Sequence, residues 1–261
     1  MTPDDRFLEL RIARDPRDLR GAQRLRYRVF VEELGAGGEG VDHDARIEAD
    51  RFDAHYDHLV LVDRRRDPDT LEHVVGAYRL LRGEVAAREE GFYCEAEYDL
   101  EPLKNSGRRL LELGRSCVSA DLRGGTAMFH LWNGLADYVL EHDIDILFGV
   151  ASFHGTDVAA LAHPLSYLHH NHLAPPALRV RAVAAHFTSM DLLSPDQVDR
   201  RRAMLETPAL IKAYLRLGGH VGEGAFIDHA FNTVDVFLLM DTKAMSERHR
   251  GFYERGRDRR R

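Results

Sequence analysis

Hydrophobic residues along the chain follow two spacings, one typical of amphipathic helices and one typical of buried strands. Between residues 17 and 33, apolar residues recur near helical spacing and predict a helix. Its predicted apolar face consists of Leu19, Ala22, Leu25, Val29 and Phe30. The short apolar runs at 59–63 and 74–81 predict two strands, and the polar loop between them indicates a hairpin with a longer connection.

The middle of the chain reads as strand, turn, helix and strand. Residues 110–118 are strand-like, a glycine-containing turn follows, and apolar residues at helical spacing predict a helix over about 127–142. A second strand is predicted at 146–151. Such a unit normally has parallel strands and a right-handed crossover, so this order predicts an α/β fold.

The C-terminal half is less regular. Thr207 and Pro208 precede an apolar periodic segment, which predicts a helix capped by the threonine hydroxyl, and residues 234–240 predict a buried strand. No internal repeat or low-complexity linker is visible. We therefore expect one domain over residues 1–261, with a helical insertion at about 155–215 and a basic tail at 248–261.

Composition narrows the functional classes. The apolar runs are far shorter than the ~20 residues that span a bilayer, and the N-terminal residues lack the apolar stretch of a secretory signal. Cys94 and Cys117 make no disulfide framework, so a cytoplasmic location is expected. The formal charge of -7 argues against nucleic acid as a partner. The seven arginines of the tail suit an acidic partner protein or an anionic membrane surface, and a solvated terminus explains them equally well.

Two features of the middle segment indicate chemistry. Glu112 and Arg115 are charged residues inside an otherwise apolar strand, where unpaired charge is costly, so mutual pairing or substrate contact is expected. The loop from Arg123 through Gly124 and Gly125 to Thr126 enters the predicted helix. Amides at a helix N-terminus can bind phosphate, although taken alone a plain turn is the commoner explanation of such glycines.

The order of several short motifs resembles that of the acyl-homoserine-lactone synthases, which take acyl groups from acyl carrier protein. These motifs are RYRVF at 26–30, DRFD at 50–53, YRLL at 78–81 and ELGR at 112–115. The chain departs from those synthases at Leu34, near which they carry a tryptophan. This departure weighs against a homoserine-lactone product.

A closer resemblance is to the ornithine acyl-carrier-protein N-acyltransferases of ornithine-lipid synthesis, within the GCN5-related N-acyltransferase (GNAT) superfamily. It is carried by LRYRVFVEELG at 25–35, ELGRSCVSADLRGG at 112–125, the long stretch at 131–157, IKAYLRLGG at 211–219 and FNTVDV at 231–236. The resemblance implies a mixed central sheet flanked by helices. It also implies transfer of a 3-hydroxy fatty acyl group from acyl carrier protein to the α-amine of L-ornithine.

The resemblance also implies roles for individual residues of the site. Glu112 would accept the proton of the attacking amine, and Asp50 is the second candidate catalytic carboxylate. Backbone amides around Cys117 and Val118 would face the thioester carbonyl, with Phe30 among the substrate-binding residues. The phosphate of the acyl-phosphopantetheine donor would lie on the amides of residues 123–126. No permanently bound cofactor is expected.

The remaining charged residues have two open interpretations. Arg26, Arg79 and Arg115 would either orient the acidic segment or bind the carboxylate of the amino acid. Asp50 and Asp53 would either hold the distal ammonium of ornithine or pair with those arginines. Because the product is amphiphilic, peripheral contact with the inner membrane is expected as well.

Some residues and the overall function have alternative interpretations. Cys117 is more plausibly a core residue than a nucleophile. Four histidines, His163, His169, His170 and His172, lack the spacing of known metal motifs, so no metal site is predicted. For function, the alternatives are a homoserine-lactone-type synthase, an acyltransferase for another amino acid, and a non-catalytic module that binds carrier protein or membrane.

Overall fold

In a computed structural model of the chain, residues 5–38 and 40–243 are described. Within these ranges the strands are β1 (Leu8–Ile12), β2 (Val41–Asp42), β3 (Ile47–Glu48), β4 (Asp57–Asp63), β5 (Val74–Arg82), β6 (Tyr98–Asp99), β7 (Leu110–Val118), β8 (Ile146–His154), β9 (Arg181–Ala182), β10 (His220–Asp228) and β11 (Thr233–Asp241). The α-helices are α1 (Pro16–Arg26), α2 (Gly83–Ala86), α3 (Glu101–Lys104), α4 (Ala127–Glu141), α5 (Ala162–His172), α6 (Arg200–Glu206) and α7 (Ala209–Arg216). The basic tail at 248–261 lies outside the described residues.

The chain divides into two compact units. The described part of unit 1 comprises residues 5–38, 40–90 and 112–143, and that of unit 2 comprises residues 91–111 and 144–243. The expectation of a single domain stays a prediction. No helix among the described residues is both long and apolar enough to cross a bilayer.

Unit 1 is a sheet with strand order β1-β4-β5-β7, in which β1 and β5 both pair antiparallel with β4. Val60 and Val62 of β4 pack in the same core cluster as Leu25 and Val29. Leu59 of β4 instead lies toward α4. A Cβ atom added to Gly134 of that helix would be 3.1 Å from Cδ1 of Leu59. Side chains alternate along a strand, so the apolar run at 59–62 is buried on both faces. The predicted hairpin of β4 and β5 is confirmed.

The helix predicted over 17–33 is one continuous helical segment that changes geometry. Pro16–Arg26 is α-helical, with Asp15 capping its start by accepting from the amide of Arg17 at 2.8 Å. Tyr27–Glu33 is π-helical. Wider π-turns are rare and are often found at functional sites. This change begins immediately after Arg26, which is the last residue of α1.

Unit 2 has the strand order β8-β11-β10-β9-β6. Strands β8 and β11 pair antiparallel along their whole lengths, and β10 pairs antiparallel with β11 and parallel with β9. Phe148 and Phe237 stack in its core with ring centroids 5.6 Å apart. The predicted strands at 146–151 and 234–240 are confirmed within β8 and β11.

One local prediction for the C-terminal half is wrong. The hydroxyl of Thr207 does not cap α7, because it donates back to the carbonyl of Ala203 at 2.7 Å and so closes the end of α6. The residue that precedes α7 is Pro208, which has no side-chain donor or acceptor. Residues 155–215 hold α5, α6 and most of α7, together with the short strand β9.

Candidate active site

The buried charged residues of unit 1 meet in one cluster, which we call the arginine–carboxylate cluster. It contains three arginines and three carboxylates joined by ion pairs: Arg26, Arg79, Arg115, Glu48, Asp50 and Asp53. They come from the end of α1, from β3 and the 3-10 turn after it, and from β5 and β7. Segments far apart in sequence therefore supply one site.

Arg26 lies at the centre of the cluster. Its side chain is 1% exposed, its Nε donates to Glu48 and its Nη1 donates to Asp53 at 2.7 Å. Burial alone would lower the pKa of Arg26, but the negative charges of Glu48 and Asp53 raise it overall. The guanidinium is therefore charged at any physiological pH.

Asp53 links two of the arginines. Its Oδ1 accepts from Arg26 at 2.7 Å and from Arg79 at 2.9 Å, and its Oδ2 accepts from Gln23 at 3.0 Å. Burial would raise the pKa of Asp53, but the two arginines hold it well below its usual value. This carboxylate is thus held as an anion.

Asp50 has a structural task in addition to its ion pairs. It caps the 3-10 turn Arg51–Ala54 by accepting from the amide of Phe52 at 3.0 Å, while its own amide donates to Asp53. Arg79 donates to both of its carboxylate oxygens at 2.7 Å. Of the two interpretations of Asp50 and Asp53, the structure contains the pairing with arginines. A catalytic role for Asp50 stays a prediction.

Arg115 is the most accessible arginine of the cluster. Its side chain is 12% exposed, compared with 1% for Arg26 and 2% for Arg79. Its contacts with Glu48 and Asp50 are both 3.3 Å, longer than those of the other two arginines. Its φ of 52° lies in the left-handed region, which is unusual within a strand for a residue other than glycine. Such local strain is typical of functional sites.

Glu112 lies beside this cluster on β7. It is 2% exposed, and its Oε2 accepts a hydrogen bond from the hydroxyl of Tyr56. The guanidinium of Arg79 lies over the Tyr56 ring, 4.3 Å from its centroid. Tyr56 therefore connects Glu112 with the arginine–carboxylate cluster.

Sequence reasoning missed two members of this site, Glu48 and Tyr56. A signal for Glu48 exists, because residues two apart on an extended chain share a face and Asp50 had been identified. Arg115 contacts both carboxylates. Tyr56 had no such signal, since its partner Glu112 is 56 residues away.

Two of the predicted substrate-binding residues, Cys117 and Phe30, lie in or against the apolar core, and a third, Val118, is buried. Cys117 belongs to the core cluster, and half-buried Phe30 packs against that cluster. Burial raises the pKa of Cys117 to about 12, so its thiol is neutral near pH 7 and poorly nucleophilic. The carbonyl of Val118 accepts from Nε of Arg123 at 2.9 Å.

The predicted phosphate loop is exposed and precedes a long helix. Residues 123–126 are all exposed, and α4 begins directly after them. Gly124 has a φ of 77°, which a side chain would strain. The amides of Arg123 and Gly125 donate within the turn, to the carbonyls of Ala120 and Leu122, both at 3.4 Å. For the amides of Gly124 and Thr126, no backbone acceptor is seen in the described parts of the chain. The side chains turn elsewhere: Arg123 pairs with Glu33 at 2.6 Å, and Thr126 donates to Asp5 at 2.6 Å.

The comparisons with known proteins first define a class. Residues 25–133 match the model of the acetyltransferase (GNAT) domain family. The solved structure of FeeM, an N-acyl amino acid synthase from uncultured soil microbes, aligns with a TM-score of 0.54 at 12% identity, covering 94% of this chain and 97% of that one. The predicted fold class, with a sheet flanked by helices, is therefore confirmed. The matched domain, together with the curated relatives, makes the protein an acyltransferase.

The curated relatives define the family more narrowly. The chain is 64% identical over 247 residues to the L-ornithine N(alpha)-acyltransferase of Rhodobacter capsulatus, covering 95% of both chains. It is 43% identical to the enzyme of the same name from Brucella abortus, covering 94% of this chain and 88% of that protein. The chain belongs to the L-ornithine N(alpha)-acyltransferase family. The family resemblance predicted from the sequence motifs is thus confirmed.

Proposed function

We propose that this protein transfers a 3-hydroxy fatty acyl group from acyl carrier protein to the α-amine of L-ornithine, giving lyso-ornithine lipid. The observation that carries the acceptor assignment is the likeness, over almost the whole chain, to relatives named for ornithine and for its α-nitrogen. The arginine–carboxylate cluster adds charged groups suited to binding an amino acid. The donor assignment has a separate basis.

The donor is assigned to the exposed loop at residues 123–126. Amides at the start of a 15-residue helix, with the positive end of the helix dipole behind them, attract a phosphate group. The phosphodiester of a phosphopantetheine arm is such a group. The resemblance to enzymes that use acyl carrier protein supports this donor, and the 3-hydroxyl follows from the resemblance alone.

The chemical step is direct attack of the amine on the thioester. The α-ammonium of ornithine must first lose a proton, and Glu112 accepts it directly or through water. The neutral amine then adds to the carbonyl carbon, the C–S bond breaks, and the departing pantetheine thiolate takes up the second proton that the attacking nitrogen loses. Tyr56 fixes the Glu112 carboxylate through its hydrogen bond. No acyl-enzyme forms, in keeping with the raised pKa of Cys117.

Stabilisation of the tetrahedral oxyanion is assigned to backbone amides around Cys117 and Val118. Preorganised amides are effective oxyanion donors because they need no reorganisation during the reaction. The strand leads directly from Glu112 through these residues to the phosphate loop. Base, oxyanion donors and phosphate site thus follow one another along a single stretch of chain.

The acceptor is assigned to the accessible edge of the arginine–carboxylate cluster. Arg115 is the arginine with solvent access and the longest ion-pair contacts, so it can exchange a carboxylate partner for that of the substrate. Asp50, whose side chain is 18% exposed, is assigned to the distal ammonium. Arg26 and Arg79 are nearly inaccessible and orient the acidic segment instead.

A direct assay tests the assignment. Purified protein is incubated with 3-hydroxyacyl carrier protein or the matching acyl-CoA, and with ornithine, lysine, glutamine, glycine or S-adenosylmethionine, and products are identified by mass. We expect N-acylornithine from the carrier-protein donor. Acylation of another amino acid, an acyl-homoserine lactone, or equal use of acyl-CoA would each contradict part of the proposal. Absence of product with every donor and acceptor would contradict the proposal as a whole.

We also propose peripheral contact with an anionic membrane. The product is amphiphilic, and residues 248–261 carry seven arginines against Glu254 and Asp258. Sedimentation with vesicles containing anionic or only zwitterionic lipid tests this contact, with a variant ending at residue 247 as control. Equal sedimentation with both vesicle types, or by both proteins, would contradict it.

A further inference from the structure

Two adjacent histidines at the end of α5 face a carboxylate from the loop before α6. His170 Nε2 lies 3.4 Å from one oxygen of Asp191, and His169 Nε2 lies 3.9 Å from the other. The carbonyl of Leu193 lies 2.8 Å from His170 Nε2. All four residues belong to unit 2 and are separate from the arginine–carboxylate cluster of unit 1. We call these four residues the histidine–aspartate cluster.

The loop that carries Asp191 is fixed to α5 by a buried serine. The Oγ atom of Ser166, a residue with no exposed surface, accepts from the amides of Leu192 at 3.1 Å and Leu193 at 3.0 Å. Both histidine rings are mostly buried, with side chains 24% and 18% exposed. The position of the loop relative to the histidines is therefore set by the fold before any ligand arrives.

The atoms that converge here are those that bind transition metals. Imidazole nitrogens and a carboxylate suit Zn²⁺, with bonds of about 2.0–2.2 Å, and a carbonyl oxygen can complete such a site. Ligand atoms around an ion at that distance lie roughly 3.0–3.5 Å apart for tetrahedral or octahedral angles. One ligand atom from each of His169, His170 and Asp191 can be chosen so that all three lie within 4.8 Å of one another. Small side-chain movements bring these atoms to bonding distance.

We propose that the histidine–aspartate cluster is a binding site for one divalent transition-metal ion, Zn²⁺ in particular. The ion cross-links the end of α5 to the loop at 191–193. Because these ligands come together only in the folded chain, binding stabilises the folded state. In the sequence, the histidines of this segment lack the spacing of known metal motifs. Asp191 supplies a carboxylate to His169 and His170 from a separate loop.

The test uses untagged full-length protein that has been stripped with chelator and then titrated with Zn²⁺ by calorimetry. We expect one Zn²⁺ per chain and a higher melting temperature in its presence. Co²⁺ serves as a spectroscopic probe, because its visible absorption reports nitrogen and oxygen ligation. His169→Gln and Asp191→Asn are each expected to weaken Zn²⁺ binding at least tenfold, since even loss of a supporting contact to a metal ligand costs about 10–100-fold.

His163→Gln is the matched control. His163 lies on the same helix, but its Nδ1 accepts from the amide of Asp199 at 3.2 Å and it is not part of the cluster. Its substitution should leave Zn²⁺ binding unchanged. Asp191 is more than half exposed, so Asp191→Asn is expected to fold even if the histidine variant does not. Three results would overturn the proposal: no Zn²⁺ binding by the wild type, equal Zn²⁺ affinity of the wild type and Asp191→Asn, or an equal loss of affinity in His163→Gln. The cluster would then be only a contact between histidines and an aspartate.

Discussion

The arginine–carboxylate cluster has an inner part and an outer edge that differ in burial and in the length of their contacts. In the inner part, Arg26 and Asp53 are at most 5% exposed and are joined at 2.7 Å. At the outer edge, Arg115 and Asp50 are 12% and 18% exposed and are joined at 3.3 Å. Buried ion pairs resist rearrangement, because an unpaired buried charge is costly, whereas a looser and more accessible pair can exchange partners. We therefore propose that the inner part positions the site and that the outer edge binds the substrate.

The largest effect is expected at Glu112, where chemistry and structure can be separated. Glu112→Gln keeps the shape of the side chain and can still accept from Tyr56, but it removes the base. Loss of general-base catalysis lowers turnover by about 10²–10⁴-fold, so we expect kcat to fall within that range with a smaller change in KM for ornithine. Steady-state kinetics over a range of pH measures this.

The control for this experiment is Glu48→Gln, an equally buried glutamate that is bound to two arginines. Its main effect should be a loss of folding stability, with a smaller loss of turnover than in Glu112→Gln. If the Glu112→Gln protein, still folded, kept near wild-type turnover across the pH range, Glu112 would not be the base.

The next largest effect should be a loss of stability from the inner part. Asp53→Asn removes the charge shared by Arg26 and Arg79, and breaking a buried pair typically costs about 3–5 kcal/mol. Urea unfolding with circular dichroism measures the change. Glu32→Gln is the control, because its ion pair with Arg46 is exposed and is expected to contribute at most about 1 kcal/mol. Similar losses in both variants would contradict the distinction between inner and exposed pairs.

Asp53→Asn should also change the dependence of folding stability on pH. The pKa of Asp53 is lower in the folded chain than in the unfolded one, where it is about 3.9. Its contribution is therefore present above that value and is lost as pH falls toward the folded pKa. Between pH 5 and 3, roughly, the wild type should lose stability more steeply than Asp53→Asn. Parallel curves would show that Asp53 makes no such contribution.

Some elements of this fold can be predicted from the sequence alone. Strand β7 was predicted at its observed bounds, because the strand-like segment at 110–118 lies between a polar loop and a glycine-containing turn, which mark its ends locally. The change from α- to π-helix after Arg26 could not be predicted, because Leu25 and Val29 fit ordinary helical spacing. Local pattern therefore predicts elements better than their exact geometry.

The same limit applies to the candidate site. Arg26, Asp50, Asp53, Arg79 and Arg115 were identified as one set by resemblance, and the structure brings them together. Which arginine is buried and which is accessible depends on the packing of α1 and β5, and this packing has no signature in a motif. Tyr56 was missed for a similar reason, since its role depends on Glu112 in a distant strand.

A smaller effect is expected at the outer edge, and it should be specific to the acceptor. Arg115→Lys keeps the charge but loses the planar fork that binds a carboxylate through two hydrogen bonds. Hydrogen bonds involving charged groups contribute about 1.5–3 kcal/mol, so kcat/KM for ornithine should fall roughly 10–150-fold. Most of this change should appear in KM for ornithine, with KM for the acyl donor nearly unchanged. An equal rise in both KM values would place Arg115 outside the acceptor site.

The smallest effect is expected at Cys117, which lies beyond the cluster in the apolar core. Because burial raises the pKa of its thiol to about 12, iodoacetamide at pH 8 should modify native protein slowly and urea-unfolded protein quickly. Cys117→Ala should change kcat/KM less than twofold while costing about 1 kcal/mol of stability, a typical loss for a small core substitution. The folded pKa is the higher one, so the thiol stabilises the native state below pH ~9 and this contribution declines as pH rises toward 12. Rapid alkylation of the native enzyme that is blocked by acyl donor would contradict this prediction. It would indicate that the thiol of Cys117 lies beside the thioester and can act as a nucleophile.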